Sequence, residues 1–218
     1  MSAEAGALRE AIVAAAKALD AAGLMPNKSG NVSCRTSQGF LITASGVPYA
    51  RLTPAQVVAM PLPATAEPAA GPRPSSEWRL HAAIYEARPE VDAIVHTHSP
   101  RATALACAGQ ALPAFHYMIA LAGGEVRCMP YATFGSDELA VQAVRGLTDR
   151  RAVLLANHGV VAVGTSLGRA QAVAVEVENM AGQYLDLLAA GLQPAVLSDA
   201  ELRVVLAKFA DYGRIDPA

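Results

Sequence analysis

The spacing of apolar and polar residues changes along the chain, and each change marks an element. In "MSAEAGALREAIVAAAKALDAAGL", Glu4, Arg9, Glu10, Lys17 and Asp20 interrupt an alanine-rich run. That pattern predicts an amphipathic helix ending at Gly23 and not a signal peptide. "MPNKSGNVSCR" reads as a polar turn, "GFLITAS" as a short strand, and "TPAQVVAMP" as a helical turn running into a strand. "LPATAEPAAGPRP" is a surface loop and not a linker, because the short segment before it could form no independent core. "SSEWRLHAAIYEARP" predicts a helix capped by serine and stopped before Pro89. "VDAIVHTHS" reads as a strand and "PRATALACAG" as a helix. "AVLLANHGVVAVG" gives two β runs around a tight "NHG" turn. Two helices follow, in "SLGRAQAVAVEVENMAGQYLDLLAAG" and "LSDAELRVVLAKFADYG". The second has Ser198 and Glu201 spaced as a capping box and Gly213 as its stop. Strands gather in the middle with helices on either side. The expected class is therefore α/β: one domain over residues 1–218, with a central mixed or antiparallel sheet flanked by helices on both sides.

Composition narrows the function classes. The chain has 218 residues, 53% hydrophobic and 17% charged, enough for a full core and far from a disordered composition. A net charge of -2 offers no basic surface for nucleic acid or anionic lipid. No apolar run approaches the length of a membrane span. Cys34, Cys107 and Cys128 are odd in number, widely spaced and without a C-x-x-C, which predicts a reducing cytoplasm.

Chemistry enters with the histidines. His96 and His98 stand two apart where the apolar run "AIV" ends, so a strand projects both from one face and Thr97 from the other. Two adjacent imidazoles suit one metal ion, although a hydrogen-bonded pair of histidines fits equally. His158, at the break in "LLANHGVV", can reach a cleft as a third ligand or act as a turn residue. Three histidines and an open position form the pattern of a catalytic divalent metal. His81 and His116 have no comparable context, and His81 reads as structural.

Around these lie weaker signals. Ser75 and Ser76 sit at a predicted helix N-terminus, where free N–H groups and the helix dipole attract anions, though plain capping needs only one serine. Glu77 is either a surface carboxylate in a first helical turn, or a base or metal ligand. Gly30, Asn31, Ser45 and Gly46 fit a phosphate cradle as well as ordinary turns.

Together "SGNVS", "LITASGVPY", "RPSSEWRLH", "AIVHTHSP", "AFHYMIALAGG", "PYATFGS", "LLANHG" and "LSDAELRVVLAKFADYG" resemble the class II aldolase/adducin family, in family order over nearly the whole chain. The nearest likeness is to members that act on L-fuculose 1-phosphate. The resemblance implies a homotetramer with sites between subunits and one zinc per subunit, with manganese or cobalt as alternatives. It matches His96, His98 and His158 to the metal ligands, and Glu77 to the catalytic acid/base that also ligates the resting metal. Gly30, Asn31, Ser45, Gly46, Ser75 and Ser76 match phosphate-binding positions. Tyr117 matches a tyrosine given by a neighbouring subunit, and Phe134 and Tyr212 match residues shaping the aldehyde side.

The implied reaction is reversible retro-aldol cleavage of a ketose 1-phosphate to dihydroxyacetone phosphate and an aldehyde. No Schiff-base lysine is required, in a chain whose only lysines are Lys17, Lys28 and Lys208. Three features depart from the family's usual pattern: Ala44, Lys28 in the phosphate loop, and the Pro/Ala-rich loop. They leave the sugar open. The same fold also runs 4-epimerisation, dehydration, decarboxylation and cleavage of 5-deoxy- or methylthio-ribulose 1-phosphates. Tyr117 and Tyr212 favour the aldolase branch, while three histidines with Glu77 argue against an adducin-like binding module.

Overall fold

The computed structural model describes residues 3–211. Helix α1 (Ala3–Ala21) ends where Gly23 turns left-handed and Leu24 N–H bonds the Leu19 carbonyl. Strands β1 (Asn31–Thr36), β2 (Gly39–Thr43) and β3 (Val57–Pro61) form a meander. Helix α2 (Trp78–Ala87), β4 (Ala93–Thr97) and α3 (Pro100–Cys107) follow. Then come β5 (Cys128–Met129), α4 (Asp137–Gly146), and the hairpin of β6 (Ala152–Leu155) and β7 (Gly159–Gly164). The long α5 (Leu167–Ala189) and α6 (Asp199–Asp211) complete the described chain.

The seven strands make one sheet in the order β3-β2-β1-β4-β7-β6-β5. Every pair is antiparallel except β5 with β6. Side-chain alternation divides the apolar residues into two cores. Val32, Cys34, Ala93, Val95, Ala162 and Leu154 face α1, α3 and α5. Ile42, Ile94, Val153, Val161 and Val163 join Trp78, Ile84 and Leu139 of α2 and α4 on the other side. Helices thus cover both faces, as the pattern predicts.

Three local expectations change. The segment read as one polar turn contains all of β1. Its Val32 and Cys34 enter one core, while Asn31 and Ser33 on the other face are polar yet buried. Helix α2 starts after the serines: Glu77 is its cap residue and no side chain caps it. Ser75 is held instead by its N–H to the Thr43 carbonyl at 3.0 Å. Helix α4 and the two-residue β5 have no counterpart in the sequence reading. The capping box of α6 does form, with Ser198 N–H 2.7 Å from Glu201 Oε2 and Glu201 N–H 3.3 Å from Ser198 Oγ. Gly213, its expected stop, lies outside the described residues.

Candidate active site

The end of β4 and the β6–β7 turn carry the histidines. His96 is fully buried, and its Nδ1–H donates to the Val160 carbonyl at 2.9 Å. That bond fixes the tautomer and aims the Nε2 lone pair away from the sheet. His98, just past the strand, brings its Nε2 to 3.1 Å from that of His96, so the two rings do share a face. Asn157 takes a left-handed φ of 58°, which turns the chain so that the ring of His158 lies 4.9 Å from each of the other two.

Glu77 closes the cluster. Its Oε2 lies 3.0 Å from His96 Nε2 and its Oε1 lies 3.2 Å from His158 Nε2. One ligand atom from each of Glu77, His96, His98 and His158 falls within 4.8 Å of all the others. Burial drives the Glu77 carboxyl up, but the His96 and His158 rings outweigh it and hold the group well below the usual carboxylate range. Burial lowers His96 and the Glu77 charge reverses that, raising it. Burial and the two neighbouring rings push His98 down to about 3.

This donor set fits a divalent cation. Glu77 Oε1 is buried and accepts no hydrogen bond. With Nδ1–H committed to Val160, His96 turns Nε2 toward Glu77 Oε2 and His98 Nε2, and in its neutral form would offer a ligand lone pair there. Such a convergence of acceptors is satisfied by positive charge at its centre.

Above the cluster opens a cavity of about 300 Å³. Gly30, Asn31, Ser45, Gly46, Ser75, Ser76, Glu77, His98, Phe134 and His158 all line it, so nearly every residue singled out from sequence comes to one place. Gly30 has a φ of 76°, and a Cβ there would lie 2.4 Å from the His96 carbonyl oxygen. Only glycine lets β1 start this close to β4. Ser45 N–H bonds the Arg73 carbonyl at 3.0 Å, which ties the Ser45 loop to the segment leading into Ser75. Lys28, with a φ of 67°, lies at the same mouth.

One expected residue lies elsewhere. Tyr117 sits on a 3-10 turn (Tyr117–Ala122), does not line the cavity, is 54% exposed, and has its ring 6.3 Å from that of Phe209. Tyr212 lies outside the described residues.

Sequence reasoning missed others. Tyr131, 60% exposed, lines the cavity with Phe134. Gly159 packs on the histidines: a Cβ there would lie 2.5 Å from the Thr97 carbonyl oxygen and 3.0 Å from His98 Cδ2. His81, which the sequence reads as structural, is buried behind Glu77 with Ser33 and Tyr85. His81 and Tyr85 do carry a signal, as polar-headed residues four and eight after Glu77 on a helix that otherwise buries apolar groups, whereas Ser33 on β1 carries none.

Residues 10–185 match the family model of the class II aldolase and adducin N-terminal domain. The chain belongs to this family. As a class II aldolase/adducin domain it has relatives matching at nearly full length. A 5-methylthioribulose-1-phosphate/5-deoxyribulose-1-phosphate aldolase of Rhodospirillum rubrum is 45% identical over 95% of this chain and 93% of its own. An L-fuculose phosphate aldolase of Escherichia coli is 44% identical over 88% of each chain. A solved L-fuculose 1-phosphate aldolase superposes with a TM-score of 0.89 at 38% identity, over 96% of this chain and 98% of that one. The domain therefore carries the same sheet and the same flanking helices as that enzyme.

Proposed function

We propose that the protein is a class II, zinc-dependent aldehyde-lyase that cleaves a ketose 1-phosphate to dihydroxyacetone phosphate and an aldehyde. The observation that carries this reading is the convergence of Glu77, His96, His98 and His158 at the floor of a cavity rimmed by serines and glycines.

His96, His98 and His158 would hold the metal, with Glu77 as a fourth ligand at rest. When bound, the metal supplies Lewis-acid charge against the negative charge that develops as the bond breaks, an effect worth several kcal/mol. The chain's own groups do the remainder. Gly30, Ser45, Gly46, Ser75 and Ser76 bind the phosphate through backbone N–H and hydroxyl donors, with Asn31 beside them. Lys28 adds the one lysine charge at that rim. Glu77 returns a proton to C3 after the C3–C4 bond breaks, and removes it in the condensation direction. Phe134 and Tyr212 shape the aldehyde side. Tyr117, exposed and outside the lining of its own cavity, serves the neighbouring subunit's site in a homotetramer and handles the proton on the aldehyde oxygen.

The relatives divide between L-fuculose phosphate and 5-methylthio- or 5-deoxyribulose 1-phosphate. Exposed Tyr131 and Phe134 on the cavity wall suit an aldehyde ending in an apolar group, which keeps the second substrate class as a specific alternative. A panel of ketose 1-phosphates with varied C4–C6 groups, assayed for dihydroxyacetone phosphate, tests both. Release of that product from at least one is expected. A panel that only epimerises, dehydrates or stays intact contradicts the reading.

A further inference from the structure

Behind Glu77 lies a chain of hydrogen bonds in which every proton can be assigned. Asn31 Nδ2 donates to Glu77 Oε2 at 3.0 Å and to Ser75 Oγ at 2.9 Å. The opposite amide orientation would set oxygen against carboxylate. Asn31 Oδ1 is therefore the acceptor facing His81 Nε2, which must carry the proton. His81 is wholly buried, and burial drives it down to about 3, so the ring is neutral and its Nδ1 is an acceptor. Ser33 Oγ–H donates to that Nδ1 at 2.6 Å, and Tyr85 O–H donates to Ser33 Oγ at 2.8 Å. Donation runs one way, from Tyr85 to the carboxylate.

Two elements build the chain. Glu77, His81 and Tyr85 share one face of α2 and its cap, spaced by four. Asn31, Ser33 and Arg35 share one face of β1, spaced by two. Arg35 locks the far end: its guanidinium donates to the Tyr85 carbonyl at 2.8 Å and the Arg88 carbonyl at 3.0 Å, and stacks 4.7 Å over the Tyr85 ring. A polar stripe through an apolar core costs stability unless every member is bonded, and here Tyr85, Ser33, His81 and Asn31 all are. Tyr85 is 1% exposed, so the end of the chain far from the cavity is closed to solvent.

We propose that His81 and Asn31 are positioning residues for Glu77, and that the Tyr85–Ser33–His81–Asn31 chain fixes which carboxylate oxygen faces the metal centre. The proposal rests on the aldolase reading for its kinetic consequence but not for its spectroscopic one. Ser33→Ala and Tyr85→Phe remove single hydroxyls, His81→Leu breaks the chain, and His81→Gln keeps a donor and an acceptor. Each purified variant is titrated with cobalt(II), read by visible absorption, and assayed for kcat and KM.

His81→Leu and Ser33→Ala should weaken cobalt binding by about 10- to 100-fold. They should also change the cobalt spectrum and lower kcat, with KM within about threefold of the parent's. His81→Gln should recover most of both. Where His81→Leu does not fold, Ser33→Ala decides alone, since it leaves the core intact. Folded variants with the parent's cobalt affinity, spectrum and kcat overturn the proposal. A parent that cleaves no ketose 1-phosphate overturns only the aldolase reading, because the cobalt titration still reports on the aim of Glu77.

Discussion

At the scale of single residues, the proposed base can be tested apart from the histidine ligands. Glu77→Gln keeps the shape and removes the base. Turnover should fall by about 10²–10⁴-fold while affinity for a phosphorylated substrate analogue is largely kept. Loss within about tenfold would mean another group moves the proton. His98→Ala should strip the metal as measured by elemental analysis. His116→Ala, whose ring caps the 3-10 turn through Met118 N–H at 3.2 Å and lies outside the cluster, should keep it. Equal occupancy in the two variants would contradict the assigned ligands. His81 adds a pH signature to stability. The group is held at about 3 when folded and takes a proton near 6.5 when unfolded. Its contribution is complete above pH 6.5 and is lost as pH falls from there toward 3, by up to about 1.4 kcal/mol per unit. Denaturant midpoints at pH 7 and pH 5 should therefore fall further for the parent than for His81→Gln. Equal falls would mean His81 is not held neutral.

At the scale of elements, the site depends on how closely β4, β7 and β1 approach one another. Gly159→Ala would put a methyl 2.5 Å from the Thr97 carbonyl oxygen and against the rings of His98 and His96. The strands must part, so stability should drop by roughly 1–3 kcal/mol and metal affinity with it. A variant with unchanged melting temperature and metal affinity would show that the β4–β7 contact is not critical. Elements with strong periodicity were legible from sequence: α1, α5, α6 and the β6–β7 hairpin follow their patterns. Strand β1 was not, because Asn31 and Ser33 are buried for hydrogen bonding and so mimic a solvent-facing turn. Strand β5 is two residues long and exists only through pairing with β6, which no local pattern encodes. The metal cluster was readable because strand geometry fixes the two-residue spacing of His96 and His98. His158 followed from the turn after β6. The chain behind Glu77 needed α2 and β1 placed side by side, which is tertiary information.

At the scale of the whole molecule, the account requires subunits to share sites. Among the described residues, no helix is long and apolar enough to cross a membrane. Tyr117 stands exposed on its own subunit, beside Phe209 of α6 and outside the cavity. Homotetramers of Tyr117→Phe and of His96→Ala should each be inactive. Co-expressed, they should mix. In a head-to-tail ring assembled at random, about a quarter of the sites would then join intact ligands to an intact tyrosine. Mixed tetramers, confirmed by mass, that are no more active than either parent would place Tyr117 within its own site or outside catalysis.

The most direct test of the central claim couples metal content to chemistry. The stripped protein is titrated with zinc while dihydroxyacetone phosphate release from the best ketose 1-phosphate is followed. The account predicts a rate near zero without metal, rising in proportion to bound zinc and reaching a plateau at one ion per chain, with no rise for His98→Ala. Full release of dihydroxyacetone phosphate by the stripped protein, or a plateau reached with the histidine cluster disabled, would contradict it.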